Sequence, residues 1–130
     1  MRATQGILFL CALLLSACQS KPTDLGNSGL GTPQAVMLNV AKQMQACWFK
    51  PKLAQFQPYK LAAELDSYSG KPRVLIVPRN KPAGLPKLVA QAERQGGSTQ
   101  FTSFGPLLQT SNGPALRASM AAWASGSKTC

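Results

Sequence analysis

The sequence contains no histidine and only four acidic side chains among its 130 residues. Histidine is the commonest general base near neutral pH and a frequent metal ligand, so its absence argues against ordinary hydrolase chemistry and a metal centre. The four acids are outnumbered by 14 lysines and arginines, which gives a formal net charge of +10. Such a charge points to anionic partners and says nothing about the fold.

Other catalytic arrangements are also missing. There is no glycine-rich phosphate loop, no metal-ligand spacing, and no serine in a nucleophile-elbow context. Glu64 and Asp66 form a conceivable carboxylate pair, but two acids at this spacing on a strand usually mark its solvent-facing side. Cys47 lacks a base partner and lies beside Trp48 on an apolar face, which favours a structural cysteine. We therefore predict that the protein is not an enzyme and uses neither a cofactor nor a metal.

The N-terminus has the layout of an export signal. Arg2 supplies a positive start, and residues 7–15 form an apolar run shorter than the roughly 20 residues that span a bilayer. Residues 15–18, Leu-Ser-Ala-Cys, resemble the lipobox of bacterial lipoproteins. The resemblance implies diacylglycerol on Cys18, cleavage of residues 1–17, and acylation of the new amino group. The alternative, an ordinary signal peptide cut at this place, gives no reason for the cysteine.

A lipidated Cys18 places the chain on a membrane, because two or more acyl chains give stable anchoring. Gln19 follows it. By analogy with the sorting of enterobacterial lipoproteins, the lack of aspartate there suggests the outer membrane over the inner membrane, with the domain in the periplasm. After removal of residues 1–17 the chain keeps 13 of its 14 basic residues and all four acids, a formal charge of about +9. Nucleic acid is not an expected partner of an exported protein.

The four cysteines reduce to one candidate pair. Cys11 leaves with the signal and Cys18 carries lipid, so Cys47 and Cys130 remain. The oxidising periplasm favours a disulfide between them. It would close a loop of about 84 residues and contribute on the order of 4 to 4.5 kcal/mol in the chain-entropy model. The alternatives are two free thiols or an intermolecular bond through Cys130.

Beyond the signal, the sequence predicts a lipidated, flexible linker over residues 18–32 and one domain over 33–130. Thr32 and Pro33 have the pattern of a helix start, and the helix should end near residue 49 or 50, before Pro51. Its predicted apolar face comprises Val36, Val40, Met44 and Cys47, widened by Leu38, Ala41 and Trp48.

Strand and turn signals fill the middle of the domain. The predicted strands are 59–66, 73–77 and 99–104, with turns at 69–72 and 95–98. Residues 88–94 suit either a helix or a strand, and the turn after them slightly favours a second hairpin. A last helix is predicted from Asn112-Gly113-Pro114 to Gly126. The predicted class is α+β: an N-terminal helix, a small antiparallel sheet of three or four strands, a C-terminal helix and one disulfide.

Basic residues are the main functional signal. Six of them fall within 24 positions that hold a single acid: Lys71, Arg73, Arg79, Lys81, Lys87 and Arg94. Arg79 and Lys81 lie in a proline-rich loop over 78–86, where they would form a compact positive knob. The functional interpretation is docking onto an anionic component, and the alternative is a solvated surface. Trp48 and Trp123 are expected to pack the two helices together, with stacking on a ligand as the alternative.

Several segments resemble small envelope lipoproteins of alphaproteobacteria: Cys47-Trp48-Phe49, Tyr59 to Leu65, residues 69–73 with the following aliphatic strand, and residues 104–107. This resemblance covers most of residues 34–130 and implies no activity. A fainter similarity, a helix with a Cys-Trp end before a basic hairpin, is to the periplasmic C-terminal domains of TonB and TolA type. Those domains bind envelope proteins, partly by strand addition.

The expected function is therefore that of a lipid-anchored, non-enzymatic envelope protein. Its basic domain would bind another envelope component, either a protein or an anionic glycan or lipid. The first alternative is an inhibitor of an envelope enzyme that acts through an exposed loop such as residues 79–85. The less favoured alternative is an enzyme. The oligomeric state is left open by the sequence.

Overall fold

The computed structural model describes residues 27–28, 31–66 and 69–130. The predicted signal peptide, Cys18 and most of the predicted linker lie outside the described residues. In order, the helices and strands of the described part are β1 Asn27–Ser28, α1 Pro33–Met44, β2 Tyr59–Glu64, β3 Arg73–Pro78, β4 Leu88–Gln95, β5 Ser98–Phe104 and α2 Gly113–Ala124. The predicted α+β class is confirmed.

The strands form one antiparallel sheet in the order β1-β5-β4-β3-β2. β2 to β5 pair in chain order, and the two-residue β1, which falls within the predicted linker, adds to the other side of β5. α1 and α2 cover one face of the sheet, where Met44 and Met120 are buried in one core with Ile76 and Leu88. The opposite face holds a smaller apolar cluster of Leu75, Val77 and Val89, with Ala62 beside it. The fold is thus one layer of helices on one layer of sheet.

α1 begins as the sequence predicts. Thr32 Oγ1 accepts a hydrogen bond from the Ala35 N–H at 3.2 Å, and a proline occupies the first turn. The buried side of α1 differs from the predicted face in one respect, because Leu38 is 43% exposed and Met37 is fully buried. The buried stripe extends to Met37 and Ala41 and ends before Leu38, which lies roughly 60° further around the helix than Ala41.

The C-terminal end of α1 continues into a π-helical turn over Gln45–Phe49. The Lys50 N–H donates to the Gln45 carbonyl at 2.8 Å, one residue further back than in an α-helix. The wider turn accompanies the burial of both Cys47 and Trp48, although they are consecutive. The predicted end of the helix near residue 49 or 50 is confirmed, with this change of geometry in its last turn.

The C-terminal tail is fastened back onto α1. Cys130 is bonded to Cys47, so the predicted disulfide is confirmed. Asn39 Nδ2 donates to the Trp123 carbonyl at 2.8 Å, and Trp123 Nε1 donates to the Thr129 carbonyl at 2.8 Å. A chain end held by a covalent bond and by these hydrogen bonds is protected from fraying.

Both predicted hairpins are present. β2 pairs with β3 along its whole length, and β4 pairs with β5 from Val89–Phe104 to Gln95–Ser98. Residues 88–94, whose composition also suits a helix, belong to β4, because β4 has a hydrogen-bonded neighbour on each side. Gly105 follows β5 with a φ of 130°, and a Cβ there would lie 2.6 Å from the Lys87 carbonyl oxygen. Glycine therefore lets the chain close against the start of β4.

Candidate anion-binding site

The six basic residues singled out in the sequence lie at the two ends of the sheet. Lys71, Arg73 and Arg94 are at the end that joins β2 to β3, and Arg79, Lys81 and Lys87 are at the other end. The two ends are about 20 Å apart, since Arg73 and Arg79 are six residues apart along an extended chain that rises roughly 3.3 Å per residue. The structure thus brings these residues together as two groups of three, and not as one patch.

Carboxylates lie beside the first group. Lys71 Nζ is 2.8 Å from Glu93 Oε2, and Arg73 Nε contacts Glu64 Oε2. Both pairs are partly exposed, so each contributes at most about 1 kcal/mol to stability. Their effect on recognition is larger, because they cancel much of the positive charge at this end. The contact with Arg73 also occupies Glu64, one member of the conceivable Glu64–Asp66 pair.

The second group has no acid beside it within the described part of the chain. The acids of that part, Glu64, Asp66 and Glu93, all lie towards the first end of the sheet. Charge is therefore segregated along the strand direction. We call the end that carries Arg79, Lys81 and Lys87 the basic end.

The loop between β3 and β4 builds the basic end. The Arg79 N–H donates to the Pro58 carbonyl at 2.9 Å, and the Gly84 N–H donates to the Lys81 carbonyl at 2.9 Å. These bonds order the loop, in which Arg79 and Lys81 are both exposed. Leu85, further along the loop, is 85% exposed, so it is a position from which a partner docked at this end can be reached.

Aromatic rings pack together next to the π-helical turn. The Trp48 ring stacks on Phe56 with centroids 4.9 Å apart, and it meets the Trp123 ring at 5.0 Å and an angle of 59°. Phe49 lies against Phe56 with centroids 5.4 Å apart. Both tryptophans are buried, so the prediction that they pack the two helices together is confirmed. Protein side chains take the places that a stacked ligand would need.

A pocket of about 190 Å³ opens beside these rings. It is lined by Trp48, Phe49, Lys52, Leu53, Phe56, Gln57 and Arg79, and we call it the aromatic–basic pocket. Its apolar side comes from the aromatic cluster, and Lys52 and Arg79 supply two cations. The lining contains no acid. Arg79 is part of both the pocket lining and the basic end, so the pocket lies at the basic end.

The polar side chains of the pocket are held in position by backbone groups. Arg79 Nε donates to the Gln57 carbonyl at 2.9 Å, and Gln57 Nε2 donates to the Lys52 carbonyl at 2.8 Å. Lys52 has a φ of 57°, in the left-handed region that non-glycine residues adopt only at a cost in free energy. The turn fixes the backbone from which Lys52 projects. No side chain of the described residues pairs with its ammonium group or with the terminal nitrogens of Arg79.

Sequence reasoning identifies Arg79 but not the pocket around it. Pro51 indicates a turn, but the next residue is a lysine. A positive φ is normally predicted from glycine or asparagine, so the conformation of Lys52 could not be predicted from its type. Phe56 lies in a single 3-10 turn over Ala54–Phe56, which is too short to show a period. The available signal was the pair Phe49 and Phe56 on either side of a Pro-Lys dipeptide.

β2 is the edge of the sheet opposite β1. The Arg79–Pro58 hydrogen bond continues the β2–β3 ladder, and hydrogen-bonded pairs alternate along an antiparallel ladder. The N–H and C=O groups of Tyr59, Leu61 and Ala63 therefore point away from β3. No backbone group of the described residues meets them. Such an edge is a template for another strand.

None of the helices in the described residues is long and apolar enough to cross a membrane. The same residues hold no group of three histidine, cysteine, aspartate or glutamate side chains that could bind a metal ion. Comparisons with protein families, with characterised proteins and with solved structures find no match for the chain. The described residues form a cationic surface with a small pocket. They also form a free strand edge, β2, which follows the pocket residue Gln57 in the chain.

Proposed function

We propose that the protein is a lipid-anchored, non-enzymatic component of the bacterial envelope that binds an anionic partner through its basic end. The observation that carries the proposal is the segregation of charge, with Arg79, Lys81 and Lys87 about 20 Å from the described acids. A merely solubilising charge has no reason to be sorted in this way. Sorted charge steers association and selects an anionic partner.

The anchor is the second part of the proposal. Residues 15–18 supply the lipobox-like sequence, Cys18 is the attachment point, and the proposed place is the periplasmic side of the outer membrane. Thr99 Oγ1 donates to the Gly31 carbonyl at 2.6 Å, so the chain from the anchor enters the domain at the start of β5. This entry lies at the end of the sheet opposite the basic end. The basic end therefore lies at the end of the sheet away from this entry, an arrangement that favours a protein or glycan over lipid of the same membrane.

Reversing two charges at the basic end tests the proposal. In native envelopes, the protein carrying a photoreactive amino acid at position 85 is expected to crosslink to an anionic protein or glycan. Arg79→Glu with Lys81→Glu should lower the crosslinked yield at least tenfold. The two substitutions turn attraction into repulsion at the contact with the partner, where the charges are closer than a Debye length and salt screens them least. Gel electrophoresis and mass spectrometry of the crosslinked product measure the outcome.

The matched control carries the same change of charge elsewhere. Arg94→Glu with Lys128→Glu alters two exposed residues outside the basic end and should leave the crosslinked yield within about twofold of the unmodified protein. Equal loss in both double variants would mean that net charge alone attracts the partner. An unchanged yield in the Arg79 and Lys81 variant would remove the basic end as the binding surface.

A second candidate, binding of an envelope protein by strand addition to β2, is favoured by the outward-facing backbone groups of Tyr59, Leu61 and Ala63. β2 is six residues long, which is sufficient for a paired strand. Lys60 and Glu64 project from it as charges of opposite sign, so strand addition should depend less on salt than docking at the basic end.

Proline substitution separates the two candidates. Ala63→Pro removes an outward N–H and should lower the free energy of unfolding by less than about 1 kcal/mol, because edge strands tolerate proline on their free side. The neighbouring Ala62→Pro removes an N–H bonded to β3 and should cost about 1 to 3 kcal/mol. If a strand is added to β2, Ala63→Pro should abolish photo-crosslinking from position 60. Undiminished crosslinking from that position would eliminate strand addition.

A further inference from the structure

The aromatic–basic pocket combines two surfaces that differ in what they can bind. Leu53 is exposed and Phe49 is partly exposed, so these two present carbon, while Lys52 and Arg79 are exposed and present positive charge. A bare inorganic anion would satisfy the cations and leave the aromatic side unfilled. A purely apolar group would fill that side and gain nothing from the cations. The lining therefore fits a ligand that carries both parts.

The volume of the pocket limits the size of the ligand. About 190 Å³ is well below the 300 to 1,000 Å³ of sites that take drug-sized molecules. It is close to the volume of engineered cavities, on the order of 150 Å³, that bind one benzene molecule. The pocket therefore has room for one ring or one branched side chain, together with the atoms of a small charged group.

The two cations suit a carboxylate, a planar anion that an arginine can bind through two parallel N–H groups. Arg79 uses Nε to bond the Gln57 carbonyl, which holds the plane of its guanidinium and leaves both Nη groups to donate. Lys52 adds a compact charge from a backbone position fixed by a positive φ. The Arg79 donors are therefore set before a ligand arrives, whereas the flexible Lys52 side chain is ordered only on binding.

We infer that the aromatic–basic pocket binds a carboxylate attached to a single ring-sized apolar group. The two sources of this chemistry are the C-terminal residue of a peptide and a small free aromatic acid. The inference rests on the proposed function to the extent that the pocket lies at the basic end, where the partner is proposed to dock. If the source is a peptide, the partner presents a C-terminal carboxylate with an apolar side chain at this place.

The test uses a pair of probes that differ only in charge. The full-length lipoprotein, purified in a nonionic detergent and labelled with ¹⁵N-tryptophan, carries just two tryptophans, so the Trp48 indole signal reports on the pocket. N-acetylphenylalanine should shift this signal with a Kd on the order of 1 mM, which is ordinary for a ligand of its size. Its amide, which lacks the charge, should bind at least fivefold more weakly.

Substitutions in the pocket complete the test. Lys52→Gly keeps the positive φ and removes the ammonium group, and Arg79→Gln removes the guanidinium charge; each should weaken binding of N-acetylphenylalanine about tenfold. Arg94→Gln makes the same chemical change at the other end of the sheet and should leave the Kd within twofold. Equal affinity for the acid and the amide, or unchanged affinity in both pocket variants, would overturn the inference.

Two further arms identify the source of the carboxylate. A tripeptide ending in phenylalanine with a free C-terminus should bind more tightly than 3-phenylpropionate if the natural ligand is a peptide terminus, and the reverse order indicates a small free acid. These titrations contain no envelope partner, so their result is independent of the crosslinking experiment. Probe binding without charge-sensitive crosslinking would uphold the pocket and refute docking at the basic end. The opposite pattern would refute the pocket alone.

Discussion

Replacing Cys47 and Cys130 together by alanine is expected to lower the free energy of unfolding by about 4 kcal/mol, and Tm by roughly 15 °C. The two cysteines are 83 positions apart, so the disulfide removes much of the conformational freedom of the unfolded chain. Cys130 is exposed, and its replacement alone removes few packing contacts. The loss should therefore arise mainly from the cross-link. Guanidinium titration of the purified protein measures it.

Three controls connect this loss with the bond itself. Either single substitution breaks the disulfide and should destabilise the protein nearly as much as the double substitution. The unmodified protein in reducing buffer should unfold at the same denaturant concentration as the double variant, within experimental error. Asn39→Ala, which removes the hydrogen bond to the Trp123 carbonyl and keeps the disulfide, should cost only about 1 to 2 kcal/mol. A double variant within about 1 kcal/mol of the unmodified protein would contradict the expectation.

Changing Cys18 to serine is expected to abolish incorporation of labelled palmitate completely. A serine hydroxyl cannot form the thioether that the lipobox-like sequence implies, so neither the diacylglycerol nor the later amide-linked chain is added. Each buried CH₂ contributes about 0.8 kcal/mol to membrane binding, and several acyl chains together make the anchor stable. Metabolic labelling and the intact mass of the purified protein measure the outcome.

Cys11 provides the matched control for this experiment. Cys11→Ser makes the same chemical change seven residues earlier, within the apolar run of the signal, and should leave palmitate incorporation and the mature mass unchanged. The Cys47 and Cys130 variant should also remain labelled, since its cysteines are not acceptors of lipid. Labelling of the Cys18→Ser protein at the normal level would exclude lipidation at the proposed site.

Most of the fold could be predicted from local signals. The Thr32-Pro33 helix start, the β2–β3 hairpin and the Cys47–Cys130 bond each follow from nearby residues or from simple elimination. The local sequence of β4 does not decide its structure, because Leu, Val, Ala and Glu side chains suit both helix and strand. Long-range pairing with β3 decides for a strand, and no local pattern contains that information. The prediction that Leu38 belongs to the buried face is wrong. The spacing of Val36, Val40, Met44 and Cys47 shows that one face of the helix is apolar, but it does not show how far that face extends around the helix.

The candidate site was harder to predict than the fold. The sequence points to the basic residues, but six cations in 24 positions give no indication that the strands separate them into two groups. Glu64 and Glu93 meet Arg73 and Lys71 only because of the hairpin registers. The pocket depends on the π-helical turn over Gln45–Phe49 and on the positive φ of Lys52. Neither backbone feature can be predicted from the residue types at these positions.

The disulfide also determines how the molecule would respond to a pull. A force applied between the N-terminal segment and the C-terminus would pass through α1 to Cys47 and cross directly to Cys130. Strands β2 to β5 and α2 all lie between the two cysteines, so they would carry no tension once β1 and Gly31 have detached from β5. The disulfide prevents about 270 Å of extension, because the 83 residues it bypasses would span roughly 3.3 Å each when fully extended. Under load at its ends the domain would behave as a short tether that yields only at β1 and α1, while the surface at the basic end keeps its shape.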